Sequence, residues 1–158
     1  MPLLSNGDAF PALTLRTVDG RTLSLPVDLA GAYGVVLIYR GAWCPYCNAQ
    51  LAGFARAATT FTELGINVAA LSVDDEATTT ALVEKLRLPF PVAYGADAGH
   101  VSALTGAYVN LQPRHLQTTG FVLDPSGKII TAVYSSGAIG RLTADDVAGF
   151  VRYVKSHA

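Results

Sequence analysis

Short apolar runs alternate along the chain with longer stretches of mixed polarity, and this pattern predicts strands that alternate with helices. The runs Val35–Tyr39 and Val68–Val73 are apolar without polar alternation, as in strands buried on both faces of a sheet. A helix is predicted at Ala49–Leu64, which a glycine follows, and another at Thr78–Leu88, which a proline follows. The pattern is therefore typical of an α/β fold.

Turn residues between apolar segments predict two hairpins. Asp19–Gly20 separates two leucine-rich segments, and Asp-Gly accepts the positive φ angles of a tight turn. Asp124–Gly127 separates Phe121–Leu123 from Ile129–Tyr134, which should pair in the same way. Pro91–Tyr94 is predicted as a short edge strand, because proline cannot donate to a sheet ladder.

The remaining pattern completes a layered architecture. Val101–Leu104 is predicted to form one or two helical turns. Thr143, followed by two aspartates, is an N-cap pattern for a final helix that ends near Lys155. Strands alternating with helices, together with two hairpins, predict a three-layer α/β sandwich on a mixed sheet. Its length of 158 residues predicts one domain spanning 1–158.

Composition and charge narrow the function classes. The net charge is -1, from 11 basic and 12 acidic residues, and gives no support for a nucleic-acid partner. No apolar run approaches the roughly 20 residues that a membrane-spanning helix needs, so no membrane partner is expected. The first residues lack the basic and apolar regions of a signal peptide, which predicts a cytoplasmic protein.

The segment Trp43-Cys44-Pro45-Tyr46-Cys47 carries the candidate chemistry, and it holds both cysteines of the chain. It lies at a predicted strand-to-helix junction, where the first helical turn lowers a thiol pKa. Pro45 suits the first helical position, and the i, i+3 spacing places both sulfurs on one face. Trp43 and Tyr46 are expected to flank the sulfurs with flat apolar surface for docking a substrate.

A CxxC pair in a reducing compartment is more often catalytic or metal-binding than a permanent disulfide. Tetrahedral zinc needs two further ligands, and the chain has no second CxxC. Its three histidines, His100, His115 and His157, are scattered along the sequence. Redox chemistry is therefore favoured over metal binding, and neither a metal nor an organic cofactor is expected.

Five segments carry a resemblance to a known family: Gly7–Leu15, Gly34–Tyr39, Leu71–Asp74, Phe90–Asp97 and Gly120–Lys128. Together with the dithiol, they resemble the peroxiredoxin and alkyl hydroperoxide reductase branch of the thioredoxin-like superfamily. The resemblance covers nearly the whole chain. It implies a thioredoxin-like sandwich with helices on both faces of the sheet and an N-terminal β-hairpin extension.

The chain departs from this family at three positions. The family motif is Pro-x-x-x-Thr-x-x-Cys, and alignment on Cys47 puts Arg40 in place of the proline and Cys44 in place of the threonine. The family also has an arginine three residues before the Phe121 position, where this chain has Thr118. The nearest arginine in sequence is Arg114, which is a candidate substitute.

The resemblance implies a thiol-dependent peroxidase that reduces hydroperoxides through a Cys44/Cys47 dithiol–disulfide cycle. Cys47 is the favoured attacking residue by the family alignment, and thioredoxin logic favours Cys44 instead. An external thiol donor of thioredoxin or glutathione type would complete the cycle, and a homodimer is possible. The alternatives are a thiol–disulfide oxidoreductase in which Cys44 attacks a protein disulfide, and a non-catalytic binding domain.

Residues near the dithiol have candidate supporting roles. Arg40, at the end of the active-site strand, is a candidate for stabilising a thiolate or a peroxide oxygen. Thr118 and Thr119 are expected to line the site opposite the dithiol. Four further side chains are assigned structural places, as loop residues or helix caps: Arg114, His115, Asp74 and Asp75.

Overall fold

The computed structural model describes residues 3–158. A seven-stranded sheet lies at the centre of this part of the chain. The strands are β1 Leu13–Thr17, β2 Thr22–Leu25, β3 Tyr33–Ile38, β4 Ile66–Leu71, β5 Val92–Tyr94, β6 Val109–Leu111, β7 Arg114–Leu116, β8 Thr119–Leu123 and β9 Ile129–Tyr134. The helices are α1 Pro45–Arg56, α2 Ala58–Leu64, α3 Glu76–Leu86, α4 Ala98–Thr105 and α5 Ala144–Ser156.

The sheet is mixed, with the strand order β2-β1-β5-β4-β3-β8-β9. β3 pairs in parallel with β4, and β4 pairs in parallel with β5. The other neighbours pair antiparallel, and β6 and β7 form a separate hairpin. The centre of the sheet is therefore parallel, and the two flanks are antiparallel hairpins.

Each face of the sheet has its own apolar core. Alternate residues of β3 point to opposite faces, with Leu37 in one core and Ile38 in the other. The first core is covered by α1, α2, α3 and α5; the second is covered by α4 and includes residues of the N-terminal hairpin. These layers confirm the predicted α/β sandwich on a mixed sheet, with helices on both faces and an N-terminal hairpin.

Both predicted hairpins are confirmed, as β1–β2 and β8–β9. The prediction of an edge strand at Pro91–Tyr94 is wrong. β5 is an interior strand, because β1 pairs antiparallel with its outer side through Arg16 opposite Tyr94. Its proline, Pro91, precedes the strand, so the ladder loses no donor.

The predicted helix at Ala49–Leu64 differs from the structure in two respects. α1 begins earlier, at Pro45, and the chain leaves helical geometry at Ala57 before α2 begins. Phe54 and Phe61, on either side of this break, are buried with their rings edge to face and their centroids 5.5 Å apart. The aromatic contact holds the two helical pieces against the same core.

The other helices agree with the sequence patterns within a few residues. α3 ends at Leu86, before the proline, with Arg87 in the left-handed conformation as its C-cap. α4 is longer than the predicted one or two turns, because Asp97 caps its first turn by accepting from the His100 backbone N–H. Thr143 caps α5 in the same way, as predicted.

The prediction of one redoxin domain over 1–158 stays a prediction, and Met1 and Pro2 lie outside the described residues. Among the helices of residues 3–158, none has the length and apolar character that crossing a bilayer requires.

Candidate active site

Four chain segments meet at the carboxyl end of β3, around the dithiol. β3 runs into the turn that carries Arg40, and α1 leaves from that turn. β8 runs antiparallel to β3, with Thr119 opposite Ile38, so β8 begins at this end of the sheet. β9 returns to the same end, with Tyr134 opposite Thr119, and the loop before α5 continues from there. Sheet register therefore brings distant parts of the sequence to the cysteines.

Cys44 and Cys47 occupy the first turn of α1. Cys44 is the N-cap, and its Sγ accepts a hydrogen bond from the Cys47 backbone N–H at 3.2 Å. Pro45 opens the helix, as the sequence predicts. Both thiols are free and both cysteines are buried. Neither sulfur is therefore exposed to open solvent.

The turn before Cys44 is held by contacts that leave little freedom. The Ala42 backbone N–H donates to Asp74 Oδ2 at 2.8 Å, and Asn48 Nδ2 donates to the Ala42 carbonyl at 3.1 Å. A Cβ at Gly41 would lie 2.2 Å from Nε1 of Trp43, so a side chain there would displace the indole. These contacts fix Trp43 beside the dithiol.

Arg40 lies on the Cys44 side of the site. Its Nε donates to Gln117 Oε1 at 2.9 Å, and its Nη1 lies 3.9 Å from Cys44 Sγ. Its guanidinium carbon is 4.8 Å from the centre of the Trp43 ring, which is a cation–π contact. The backbone N–H of Arg40 donates to Cys47 Sγ at 3.4 Å. One residue thus contacts both sulfurs.

Arg141, from the loop before α5, lies on the Cys47 side. Its Nη2 is 3.6 Å from Cys47 Sγ and donates to Thr118 Oγ1 at 2.7 Å. Its Nη1 donates to Gln50 Oε1 at 2.8 Å, and the guanidinium also binds the Ala138 carbonyl. The guanidinium is therefore held in one orientation, with a positive charge beside the buried sulfur.

The two thiols differ in acidity. Burial disfavours the Cys44 thiolate, but hydrogen bonds from Cys47 and from Arg40, with the charge of Arg141, outweigh it and lower the pKa of Cys44. Burial, together with the hydrogen bond that Cys47 gives to Cys44, raises the pKa of Cys47, even though Arg40 and Arg141 oppose the shift. Cys44 is therefore the more acidic thiol of the pair.

The aromatic residues of the motif lie at the surface. Trp43 is 55% exposed and Tyr46 is 56% exposed, so both present apolar area beside the buried sulfurs. Their predicted role in docking a substrate stays a prediction.

Thr118 is buried opposite the dithiol, where the sequence expects it, and it contacts Arg141. Thr119 is also buried, but its hydroxyl donates to the Gln117 carbonyl at 3.1 Å. Arg114 is exposed on β7, with its guanidinium beside Gly99 of α4. Arg114 is therefore not the substitute for the family's arginine.

Two residues assigned to structural places lie closer to the site than expected. His115 is not a surface loop residue: it is a buried residue of β7, 5.1 Å from the Trp43 ring, and neither of its ring nitrogens has a hydrogen-bond partner among residues 3–158. Burial and the charge of Arg40 lower its pKa. Asp74 binds the turn at Ala42, and burial raises the pKa of its carboxyl. Asp75 caps α3, as predicted.

Sequence reasoning missed Arg141, Gln50 and Gln117. Arg141 follows a glycine-rich loop and no motif marks it. The available signal was the predicted pairing of Phe121–Leu123 with Ile129–Tyr134. That hairpin returns the chain to the end of the sheet where Thr118 lies, so an arginine soon after it is within reach of the dithiol.

Comparison with known proteins identifies the family. A model described as "AhpC/TSA family" matches residues 6–132. The chain belongs to the AhpC/TSA family. Rv2521 of Mycobacterium tuberculosis, a protein with a peroxiredoxin name, is 33% identical over 144 residues, which cover 88% of this chain and 90% of that protein. Chloroplastic peroxiredoxin Q of Populus jackii is 36% identical over 84% of this chain and 61% of its own length.

Solved structures agree with the fold. Peroxidoxin BcpB of Mycobacterium tuberculosis matches with a TM-score of 0.83 and 24% identity, covering 96% of this chain and 98% of that chain. AhpC of the same organism matches with a TM-score of 0.81 and 22% identity, covering 99% and 96%. With the family match, these findings confirm a peroxiredoxin-like redoxin and an enzyme of the thiol peroxidase class.

Proposed function

We propose that this AhpC/TSA-family protein reduces hydroperoxides through a Cys44–Cys47 dithiol–disulfide cycle, with Cys47 as the attacking residue. The convergence of two donors on Cys47 Sγ carries the proposal: Arg40 N at 3.4 Å and Arg141 Nη2 at 3.6 Å. Donors fixed at a reacting sulfur stabilise the negative charge that develops on the peroxide oxygens. Arg141 supplies, through Thr118, the guanidinium that the family motif otherwise has at that position.

The lowered pKa of Cys44 supports a specific proton path. Cys44 thiolate accepts the proton of Cys47, so that Cys47 becomes the nucleophile in the field of Arg141. Cys47 sulfur attacks the terminal oxygen of the hydroperoxide; the S–O bond forms as the O–O bond breaks, and the sulfur is oxidised to a sulfenic acid. The departing alkoxide takes the proton that Cys44 holds and leaves as an alcohol.

Resolution follows from the same geometry. Cys44, again a thiolate, attacks the sulfenic sulfur, so the S–S bond forms, the S–O bond breaks, and hydroxide leaves as water with a solvent proton. Two thiol groups of an external donor then reduce the Cys44–Cys47 disulfide and become oxidised themselves. The cycle uses no metal or organic cofactor.

The partners of the cycle are proposed at the level of chemical class. They are a hydroperoxide and a thiol donor of thioredoxin or glutathione type, which suits a reducing compartment such as the cytoplasm. A homodimer is consistent with the likeness to AhpC, and sedimentation of the reduced protein would test it.

The test is peroxide consumption with product analysis. Reduced protein should consume one equivalent of hydrogen peroxide per chain and form the Cys44–Cys47 disulfide, seen by mass spectrometry of peptides. Added thioredoxin or glutathione, each with its reductase, should then sustain turnover with at least one donor. If the protein instead reduces insulin disulfides and reacts with peroxide no faster than a free thiol, it is a thiol–disulfide oxidoreductase. Inertness in both assays would indicate a binding domain.

A further inference from the structure

A groove between α1 and α5 opens directly beside the dithiol. It has a volume of about 790 Å³, and Gln50 and Arg141 form one end of it. Arg141 also contacts Cys47 Sγ at 3.6 Å, so the same guanidinium belongs to the groove and to the reacting centre. A molecule bound in the groove would therefore have one end at Arg141, the residue that contacts Cys47.

Small residues on two facing helices form the floor. Ala49, Gly53 and Ala57 are spaced by four residues along α1 and its end, and Ala144 and Ala148 have the same spacing on α5. Eight residues of helix span about 12 Å, which sets the length of the floor. The small side chains leave room for an extended chain lying along the helices.

The far end of the groove carries positive charge. Arg56 on α1 and Arg152 on α5 line it, and both are exposed. With Arg141 the lining holds three arginines against one acidic residue, Asp145, although the whole chain has a net charge of -1. Within residues 3–158, neither Arg56 nor Arg152 has a carboxylate within ion-pair distance. Their charges are available to a ligand.

We infer that the groove binds an anionic co-substrate of the dithiol, with its carboxylate at Arg56 and Arg152 and its reactive group at Arg141. The reactive group is either a hydroperoxide or a thiol, and the carboxylate lies about 12 Å away, at the length of the groove. This inference rests on the proposed function, because it assigns the co-substrate of the same dithiol. Selectivity among co-substrates would then depend on their charge and not on their size alone.

The kinetic test compares acids with their neutral esters. One arm measures oxidation of the reduced protein by linoleic acid hydroperoxide and by its methyl ester. The other measures reduction of the disulfide by glutathione and by its diethyl ester. In at least one arm the acid should react faster than the ester, and that arm identifies the source of the carboxylate. Equal rates for acid and ester in both arms would overturn the inference.

Variants connect the selectivity with the groove. The double substitution Arg56→Gln and Arg152→Gln should lower the acid-to-ester rate ratio about tenfold, since it removes both positive charges that bind the carboxylate. High salt should lower the ratio in the unaltered protein, because screening weakens exposed pairs. Arg16→Gln with Arg21→Gln, on the N-terminal hairpin, makes the same change in net charge and should keep the ratio. An unchanged acid-to-ester rate ratio in the Arg56→Gln and Arg152→Gln protein would overturn the inference.

A binding measurement separates this inference from the proposed function. Protein with Cys44→Ser and Cys47→Ser cannot react, yet it should still bind linoleate or S-methylglutathione more tightly than the corresponding esters by calorimetry. Removing Arg56 and Arg152 in that background should abolish the difference. If the protein has no peroxidase activity but binds the acids preferentially, the groove assignment is supported and the proposed cycle is not. If binding shows no preference for the acids, the groove assignment is wrong.

Discussion

At the scale of single residues, the two cysteines have opposite acidity shifts. The pKa of Cys44 is lowered and that of Cys47 is raised, so Cys44 is the more acidic of the two thiols. Cys44 follows the behaviour of a thiol at a helix N-terminus beside a positive charge. Burial raises the pKa of Cys47, and two donors at its sulfur oppose this rise.

These shifts predict a separation of the thiol titrations in single variants. In Cys47→Ser, whose hydroxyl can replace the donor to Cys44, thiolate absorbance should develop at lower pH than in Cys44→Ser. The measurement is ultraviolet absorbance of the thiolate against pH. Coincident titrations of the two variants would contradict the opposite pKa shifts assigned to Cys44 and Cys47.

The same shifts have opposite effects on stability. Because the folded-state pKa of Cys44 is lowered, its thiolate stabilises the reduced protein above the ordinary thiol pKa, and this contribution is lost as pH falls through the lowered value. Because the pKa of Cys47 is raised, its contribution is complete below the ordinary value and is lost as pH rises through the raised one. Melting temperatures of the two single variants against pH should therefore show opposite slopes near the thiol range.

Arg141 is predicted to be the main electrostatic contributor at Cys47. Arg141→Met removes the guanidinium from Cys47 Sγ and should slow oxidation by hydrogen peroxide about 100-fold, the effect of losing one fixed donor at a reacting centre. Arg114→Met, at the exposed arginine nearest in sequence to Thr118, is the control and should react at the unaltered rate. Equal rates for Arg141→Met and the unaltered protein would show that the contact has no catalytic value.

At the scale of elements, β8 and the loop before α5 set the position of Arg141. Gly120 of β8 has no side chain, and Leu142 occupies the space where one would be: a Cβ there would lie 2.7 Å from Leu142 Cδ1. Leu142 is buried and follows Arg141 directly in sequence. The glycine thus allows the loop to settle close to the sheet and to bring its arginine to Cys47.

Gly120→Ala should therefore affect both stability and reactivity. Overpacking against Leu142 should destabilise the fold by about 1–3 kcal/mol. Displacement of Arg141 should slow peroxide oxidation by about 10- to 100-fold, since small misplacements of a catalytic group are costly.

Gly149→Ala is the matched control, because nothing lies within 4 Å of a Cβ at that exposed position of α5. It should stabilise the helix by about 0.5–1 kcal/mol and leave the rate unchanged. Thermal unfolding and stopped-flow oxidation measure both effects. If the Gly120→Ala protein is destabilised but keeps the full rate, the packing of Leu142 does not determine the position of Arg141.

Elements formed by neighbouring residues could be predicted from the sequence. The dithiol at a strand-to-helix junction, Pro45 in the first helical turn and both hairpin turns depend on local backbone preferences. The break at Ala57 was missed, because the contact between Phe54 and Phe61 that accompanies it belongs to the packed core rather than to the local pattern.

At the scale of the whole molecule, the missed features depend on pairings between distant segments. The sequence predicts β5 as an edge strand, because nothing near Pro91 indicates that β1 pairs with it. Arg141 was missed because 93 residues or more separate it from both cysteines, and only the register of β8 with β3 and β9 brings it near. The family resemblance points to Cys47 and to the arginine position that Thr118 occupies, but Arg141, the arginine that contacts Thr118, comes from outside the motif.

The most direct test of the central claim is rapid mixing of reduced protein with hydrogen peroxide, followed by fluorescence of Trp43, the single tryptophan of the chain. Unaltered protein, Cys44→Ser and Cys47→Ser are compared. Peroxidase chemistry with Cys47 attacking predicts a fast, peroxide-dependent signal that survives in Cys44→Ser and disappears in Cys47→Ser. A signal that survives only in Cys47→Ser would assign the attack to Cys44, and a reaction no faster than that of a free thiol in all three would contradict peroxidase function.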